Sequence, residues 1–158
     1  MVDDTDDDDR VPFENEPSKL DSLTHEELRL MHREASQAIL FAKSMQWCSV
    51  GAVLLAFGAC IAVDASLRPN SLIERLLSGL TIVLACGIIF MLLMYQFWQF
   101  NEITRIRKIE EHFSSLYRHI NNFKSSREGN AHRYTMLIFM IALIIIGGVV
   151  TNIIFSAL

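Results

Sequence analysis

Three long apolar runs dominate the hydropathy pattern of this chain, and none of them contains a charged side chain. A helix needs about 20 consecutive apolar residues to cross the hydrocarbon core of a bilayer, and each run is about that long. The pattern therefore predicts an all-α integral membrane protein with three transmembrane helices. These helices, which we call spans one, two and three, are assigned to residues 45–63, 76–98 and 134–158.

Amphipathic patterns continue from spans one and two into polar sequence. Ahead of span one, apolar residues from Leu28 to Met45 recur three or four positions apart. After span two, apolar residues occupy the a and d positions of nearly three heptads: Ile106, Ile109, Phe113, Leu116, Ile120 and Phe123. Residues 22–44 and 99–124 are therefore predicted to extend the two spans into an antiparallel, coiled-coil-like helical hairpin, which we call the stem.

Short local signals predict where two of the helices begin. Thr24 and Glu27 fit a capping box at the start of the stem, in which each residue bonds a free backbone N–H of the first turn. Ser71 and Glu74 fit a second box ahead of span two. No Pro or Gly interrupts the sequence between the first box and Gly51, so one continuous helix is predicted there.

The remaining segments are predicted to be a tail, a loop and a turn. Residues 1–21 hold six aspartates among the first nine positions and show no apolar period, which predicts a disordered acidic tail. Residues 64–75 give a short loop, and residues 125–133 give a turn at Gly129-Asn130. The sequence has neither the pattern of a signal peptide nor that of a transit peptide, so span one is expected to direct insertion.

The distribution of Lys and Arg predicts the orientation. Seven basic side chains lie between spans two and three, against two between spans one and two. Basic flanks stay in the cytoplasm, so the stem and the N-terminus are expected there, with the C-terminus external or periplasmic. Aromatic residues that favour the headgroup region stand at the same ends of the spans: Trp47, Tyr95, Trp98 and Tyr134. A plasma membrane of the bacterial inner type is the expected location.

Small side chains recur at every fourth position along spans one and three. Such lines let helix backbones approach closely in lipid, and they fit either packing within the hairpin or contact with another membrane subunit. Asn152 is expected to form a cross-helix hydrogen bond, because an unpaired amide in lipid is unfavourable. The candidate interaction residues in the membrane are Ala52, Ala56, Cys60, Gly148, Asn152 and Ser156.

No catalytic, cofactor or metal site is predicted. The three cysteines lack metal or redox spacing, and there is no phosphate loop or catalytic constellation. His25 and His32 stand seven apart on one arm of the stem, as do His112 and His119 on the other. A metal site or pH-sensitive seam there is the minority interpretation, because the two pairs fall on opposite sides of the heptad seam. Nucleic acid and small-molecule substrates are not expected partners.

Interaction is the function class that remains. The leading hypothesis is a non-catalytic accessory subunit that scaffolds, stabilises or assembles a larger membrane complex, of which an energy-converting complex is one example. Membrane lipids and other membrane subunits, or copies of the same chain, are the expected partners. The alternative is a homo-oligomeric pore or ion channel built from helical hairpins, whose polar lining would come from Asn152, Thr81, Ser78, Ser49 and Thr151.

Overall fold

The computed structural model describes residues 15–66, 71–122 and 126–157 of the chain. Over these residues the protein is all-α, as predicted, and no strand is present. The helices are α1 (Ser22–Ser66), α2 (Ser71–Glu110), α3 (Ser115–Asn122) and α4 (Ser126–Ala157).

Three helices in the described part of the chain, α1, α2 and α4, are long and apolar enough to cross a membrane. Most of their apolar surface is exposed, which is compatible with a multi-pass membrane protein. Helix α1 joins the first arm of the stem to span one without a break, as the absence of Pro predicted. It also extends to Ser66, and α2 begins at Ser71, so the connection between them is shorter than the predicted loop of residues 64–75.

Helices α1 and α2 lie antiparallel, and α4 packs against both. At the stem end, His32 of α1 lies beside Glu110 of α2, with 3.3 Å between Nε2 and Oε1. Further along α1, Gln46 bonds the backbone carbonyl of Leu92, so residue numbers rise on one helix as they fall on the other.

Large apolar side chains form the core between the three long helices. Leu92 and Ile144 are fully buried, and the complete cluster is Val50, Val53, Phe57, Leu92, Leu137, Met140 and Ile144. The buried positions of α1 recur three, four or seven residues apart, so they lie on a single helix face. In an apolar solvent such close packing contributes through dispersion, because lipid tails are as apolar as these side chains.

The predicted lines of small residues do not supply this core. Cys60 is buried, Ala56, Gly148 and Asn152 are half-buried, and Ala52 and Ser156 are exposed. For Ala52, packing within the hairpin is therefore the wrong interpretation. The physical reason is that α1 turns Val50, Val53 and Phe57 towards its neighbours, and these larger side chains fill the space between helices better than alanine does.

Of the two adjacent glycines of α4, Gly147 lies closer to side chains of α1 than Gly148 does. A Cβ atom on Gly147 would lie 2.8 Å from Cδ2 of Leu54 and 3.2 Å from Cδ2 of Phe57. At Gly148 the nearest atom would be Cζ of Phe57 at 3.8 Å, which is ordinary van der Waals contact. Gly147 is therefore the position where the absence of a side chain matters for helix packing.

The second arm of the stem is not the continuous heptad helix that was predicted. Helix α2 ends at Glu110, a turn follows, and α3 begins at Ser115. The hydroxyl of Ser114 accepts a hydrogen bond from the backbone N–H of Tyr117 at 3.4 Å, so this serine acts as an N-cap that starts a new helix.

This break disperses the predicted apolar seam of the stem. Ile109 is buried and Ile106 half-buried, but Leu116 and Ile120 are exposed on α3. Phe113 lies in the turn, and Phe123 falls outside the described residues. A single seam through all six residues is therefore wrong, because α2 ends at Glu110 and Leu116 belongs to the separate helix α3.

Part of the predicted tail contacts the stem. The backbone N–H of Glu16 donates to Oγ of Ser115 at 2.8 Å, and the N–H of Ser115 donates to the carbonyl of Glu16 at 3.1 Å. The hydroxyl of Ser18 donates to the carbonyl of His112 at 3.0 Å. The Glu16 carbonyl thus satisfies one of the free backbone donors at the start of α3. Disorder of residues 1–21 stays a prediction. The six aspartates lie outside the described residues.

Two other helix boundaries differ from the predictions. The N–H of Thr24 donates to Oδ2 of Asp21 at 3.2 Å, so Asp21 rather than Thr24 caps α1. A carboxylate is as good an N-cap as a hydroxyl, and it also lies favourably at the positive end of the helix.

Helix α4 already covers Gly129 and Asn130, where a turn was predicted. One glycine inside a helix costs about 1 kcal/mol, which a helix of this length tolerates.

We expect Gly147→Leu to destabilise the protein, because the new side chain must displace the buried ring of Phe57. Overpacking of this kind lowers the free energy of unfolding by about 1–3 kcal/mol. The matched control is Gly87→Leu, since a Cβ at Gly87 meets no atom within 4 Å. The measurement is the free energy of unfolding in mixed detergent micelles. Equal stability of the two variants would show that α4 does not approach α1 at Gly147.

Candidate functional site

Three buried glutamines interrupt the apolar contact between α1 and α2. Nε2 of Gln99 donates to Oε1 of Gln46 at 3.0 Å, and Nε2 of Gln46 donates to the carbonyl oxygen of Leu92 at 3.2 Å. Gln46, Gln96 and Gln99 are only 4%, 7% and 2% exposed. This chain of hydrogen bonds fixes the register of the two helices, because a shift along the axis would leave buried amides unpaired.

These glutamines were not among the sequence-predicted sites, although all three lie in or next to the predicted spans. Gln96 and Gln99 are three residues apart and therefore share a helix face. Gln46 stands at the same end of the partner span, so the pairing could have been found from the antiparallel arrangement. Nε2 of Gln96 has no hydrogen-bond partner within the described residues.

A second polar contact joins α4 to α2 near the other end of the hairpin. Nδ2 of Asn152 donates to Oγ1 of Thr81 at 3.3 Å, and the hydroxyl of Ser78 donates to Oδ1 of Asn152. The expected cross-helix hydrogen bond of Asn152 is therefore present. Thr81 and Thr151 are buried, and the hydroxyl of Thr151 donates to the carbonyl of Gly147 in its own helix at 2.8 Å.

In the stem, Glu110 lies at the centre of a hydrogen-bond network that joins α1, α2 and α3. The hydroxyl of Tyr117 donates to Oε1 of Glu110 at 3.0 Å, and Nδ2 of Asn121 donates to Oε2 at 2.7 Å. Nε2 of His32 lies 3.3 Å from Oε1 of Glu110 and 3.3 Å from the Tyr117 hydroxyl. The carboxylate thus holds α3 against the hairpin.

An aromatic cluster packs beside this network. The ring centroid of Phe113 lies 5.0 Å from that of Tyr117, 5.6 Å from that of His25 and 6.0 Å from that of His32. Edge-to-face contacts at these distances add to the energy of burial. Phe113, which is half-buried, therefore contributes to the stem from the turn and not from the predicted heptad position.

The histidines take different partners. His32 lies in the Glu110 network, whereas Nδ1 of His112 lies 2.9 Å from the carbonyl of Lys108 in the preceding turn. In the part of the chain that the structure describes, no group of three or more His, Cys, Asp or Glu residues is placed to hold a metal ion.

An open groove of about 1230 Å³ adjoins the stem network. The first turns of α1, the segment before it and the turn at Phe113 line its walls. Apolar side chains such as Leu23 and Leu30 alternate there with charges of both signs, including Glu26 and Arg29. This mixture selects no single class of small ligand.

Burial of the phenol, followed by the hydrogen bond to Glu110 and the negative charge of that residue, raises the pKa of Tyr117 to about 12. The folded state therefore binds the phenolic proton more tightly than the unfolded state, whose pKa is near 10.0. The contribution of this group to stability is complete below pH 10 and is lost as the pH rises towards 12.

We expect the Tyr117 phenol to titrate at about pH 12 in the folded protein. Tyrosinate absorbance of the wild type minus that of Tyr117→Phe isolates this group from Tyr95 and Tyr134. Glu110→Gln should lower the pKa, although not fully to 10, because the phenol stays buried. A Tyr117 that titrates like a free phenol in both backgrounds would mean that α3 is not held by Glu110.

All of these contacts join helices of the chain to one another, and polar side chains of this type hydrogen-bond across helices in membranes. Comparison of the chain with family models, with curated proteins and with solved structures gives no match. The geometry of the helices and their outer surfaces is therefore the basis for any inference about function.

Proposed function

We propose that this protein is a non-catalytic membrane subunit that scaffolds, stabilises or assembles a larger membrane complex through α1 and the stem. The observation that carries the proposal is an outer face of α1, with small residues on either side of the exposed Leu55, that is not covered by the described part of the chain. A Cβ on Gly51 or on Gly58 would meet no atom within 4 Å. Ala52, Ala59 and Ala62 on the same side are exposed.

The outward face of α4 is different in kind. It carries large apolar side chains, such as Ile138, Ile146 and Ile153, which suit contact with lipid tails. On α1, Gly51 and Gly58 instead leave gaps on either side of the exposed Leu55, and small residues of this kind let another helix approach closely. Ala52, predicted as an interaction residue, thus belongs to the unpacked face of α1, where it supports contact with another subunit.

The stem adds a second exposed apolar surface, outside the predicted spans. Leu23 and Leu30 on α1 and Leu116 and Ile120 on α3 are all exposed. Apolar residues grouped on a water-facing surface favour contact with a partner. The proposed subunit would therefore be held by its partners both within the membrane and beside it.

The proposed orientation has the N-terminus and the stem in the cytoplasm and the C-terminus outside. Its support is the excess of Lys and Arg around the stem. Trp98 also packs against Phe41 and Tyr95 at this end of the hairpin, with ring centroids 6.4 Å apart in both pairs. Such an aromatic group suits the headgroup region.

The pore alternative has less support. Of its candidate lining residues, Thr81 and Thr151 are buried, and Ser78 and Asn152 bond each other. The hydroxyl of Ser49 donates to the carbonyl of Met45 within α1. A path between copies of the hairpin would need polar groups on outer faces, whereas these groups are used within one chain.

The first check is topology. Three spans require that reporters fused to the two ends of the chain lie on opposite sides of the membrane, with the N-terminal reporter in the cytoplasm. Reporters on one side would contradict three spans, and a C-terminal reporter in the cytoplasm would reverse the orientation.

Assembly is then tested on the full chain, purified in mild detergent and weighed by native mass spectrometry. We expect the wild type in a complex of fixed stoichiometry, and about tenfold less partner with Gly58→Leu, since overpacking costs about 1–3 kcal/mol. Val149→Leu, on the exposed face of α4, is the matched control and should retain the partner.

Two outcomes would contradict the proposal. One is a Gly58→Leu protein that keeps the same partner in the same ratio, which would remove the α1 face as a contact surface. The other is a ring of this chain alone that conducts ions in liposomes, which would favour the pore.

A further inference from the structure

Two arginines converge between α2 and α4 at the stem end of the predicted spans. Arg133 precedes Tyr134, whose ring centroid lies 5.9 Å from that of Phe100 on α2. Arg107 lies two turns beyond Phe100 on α2. Helical side chains lean towards the N-terminus of their own helix, so on these antiparallel helices the two arginines lean towards each other. Burial first, and then the positive charge of Arg107, disfavour the charged form of the Arg133 guanidinium.

Among the described residues, no ion pair neutralises the charges of these two arginines. The two ion pairs found among the described residues are His32–Glu110 and Arg105–Glu102, and neither includes Arg107 or Arg133. Nη1 of Arg133 is buried and has no hydrogen-bond acceptor in the described part of the chain. A partly buried guanidinium that lacks an acceptor and lies near a second positive charge is unfavourable, and an anion between the two arginines would supply the acceptor and remove the repulsion.

We propose that Arg107 and Arg133 bind the phosphate group of an anionic membrane lipid. A guanidinium presents paired N–H donors that match phosphate oxygens. Basic pockets between helices at the cytoplasmic interface are sites where lipid headgroups bind. The inference rests on the membrane insertion in the proposed function and does not depend on the assembly role.

The surroundings of the pair favour a lipid over free phosphate. One helical turn from the Phe100–Tyr134 pair towards the centre of the spans, Phe97 on α2 and Ile138 on α4 are exposed. Acyl chains can lie along these side chains while the headgroup stays at the arginines. Inorganic phosphate offers the same oxygens without this apolar contact.

The test is native mass spectrometry of the full chain in detergent, with phosphatidylglycerol and phosphatidylcholine added as competing probes. We expect the wild type to retain phosphatidylglycerol preferentially, and Arg107→Gln and Arg133→Gln each to weaken that retention about fivefold, the effect of one basic residue near a membrane surface. Arg105→Gln is the matched control, because Arg105 already pairs with Glu102 at 3.7 Å. Arg107 is exposed, so Arg107→Gln decides the result if Arg133→Gln does not fold.

Three results would overturn the inference. Equal loss with Arg105→Gln would mean a general attraction of positive charge to anionic lipid. Displacement of the lipid by an equal concentration of inorganic phosphate would mean a free-anion site. A protein that inserts, as judged by the terminal reporters, yet shows no preference for phosphatidylglycerol would overturn the lipid site while leaving the proposed function intact.

Discussion

The buried amide pair of Gln46 and Gln99 is the contact on which the arrangement of α1 and α2 depends. In an apolar environment no water replaces a lost partner, so each amide holds the other in place. Asn152 plays the corresponding part between α4 and α2, through Thr81. These few polar contacts set the register of the three helices, and large apolar side chains fill the space between them. Gly147 leaves room there for Leu54 and Phe57 of α1.

Hydropathy predicted the three long helices because helix length and apolar composition suffice for that purpose. The unbroken α1 also followed from sequence, since no Pro interrupts its period. Which face of α1 turns inwards could not be predicted in the same way. The alanine positions and the valine positions of α1 lie only a few residues apart. Which of them faces inwards depends on how well Phe57 and its neighbours fill the space between the helices. The line of small residues is therefore divided, with Cys60 buried and Ala52 exposed.

The stem shows where a periodic pattern misleads. Heptad spacing continued from Ile109 to Phe113 and beyond, but the Ser114 cap and the backbone of Glu16 start a separate helix there. A serine can lie inside a helix or cap the start of one. Which of the two occurs at Ser114 depends on contacts of the next residue with Glu16, about 100 residues away in sequence. The Glu110 network has the same long-range origin, since it needs His32 of α1 and Tyr117 of α3 together.

The most direct test of this account is a double-mutant cycle on Gln46→Leu and Gln99→Leu, with the free energy of unfolding measured in mixed micelles. Gln46→Leu leaves Nε2 of Gln99 without its acceptor, and Gln99→Leu leaves Oε1 of Gln46 without its donor, so each should destabilise the protein by about 1–3 kcal/mol. The double variant should lose less than the sum, with a coupling energy of about 0.6 kcal/mol, the average for such pairs in membranes. Strictly additive losses would contradict the claim that this pair sets the register of the helices.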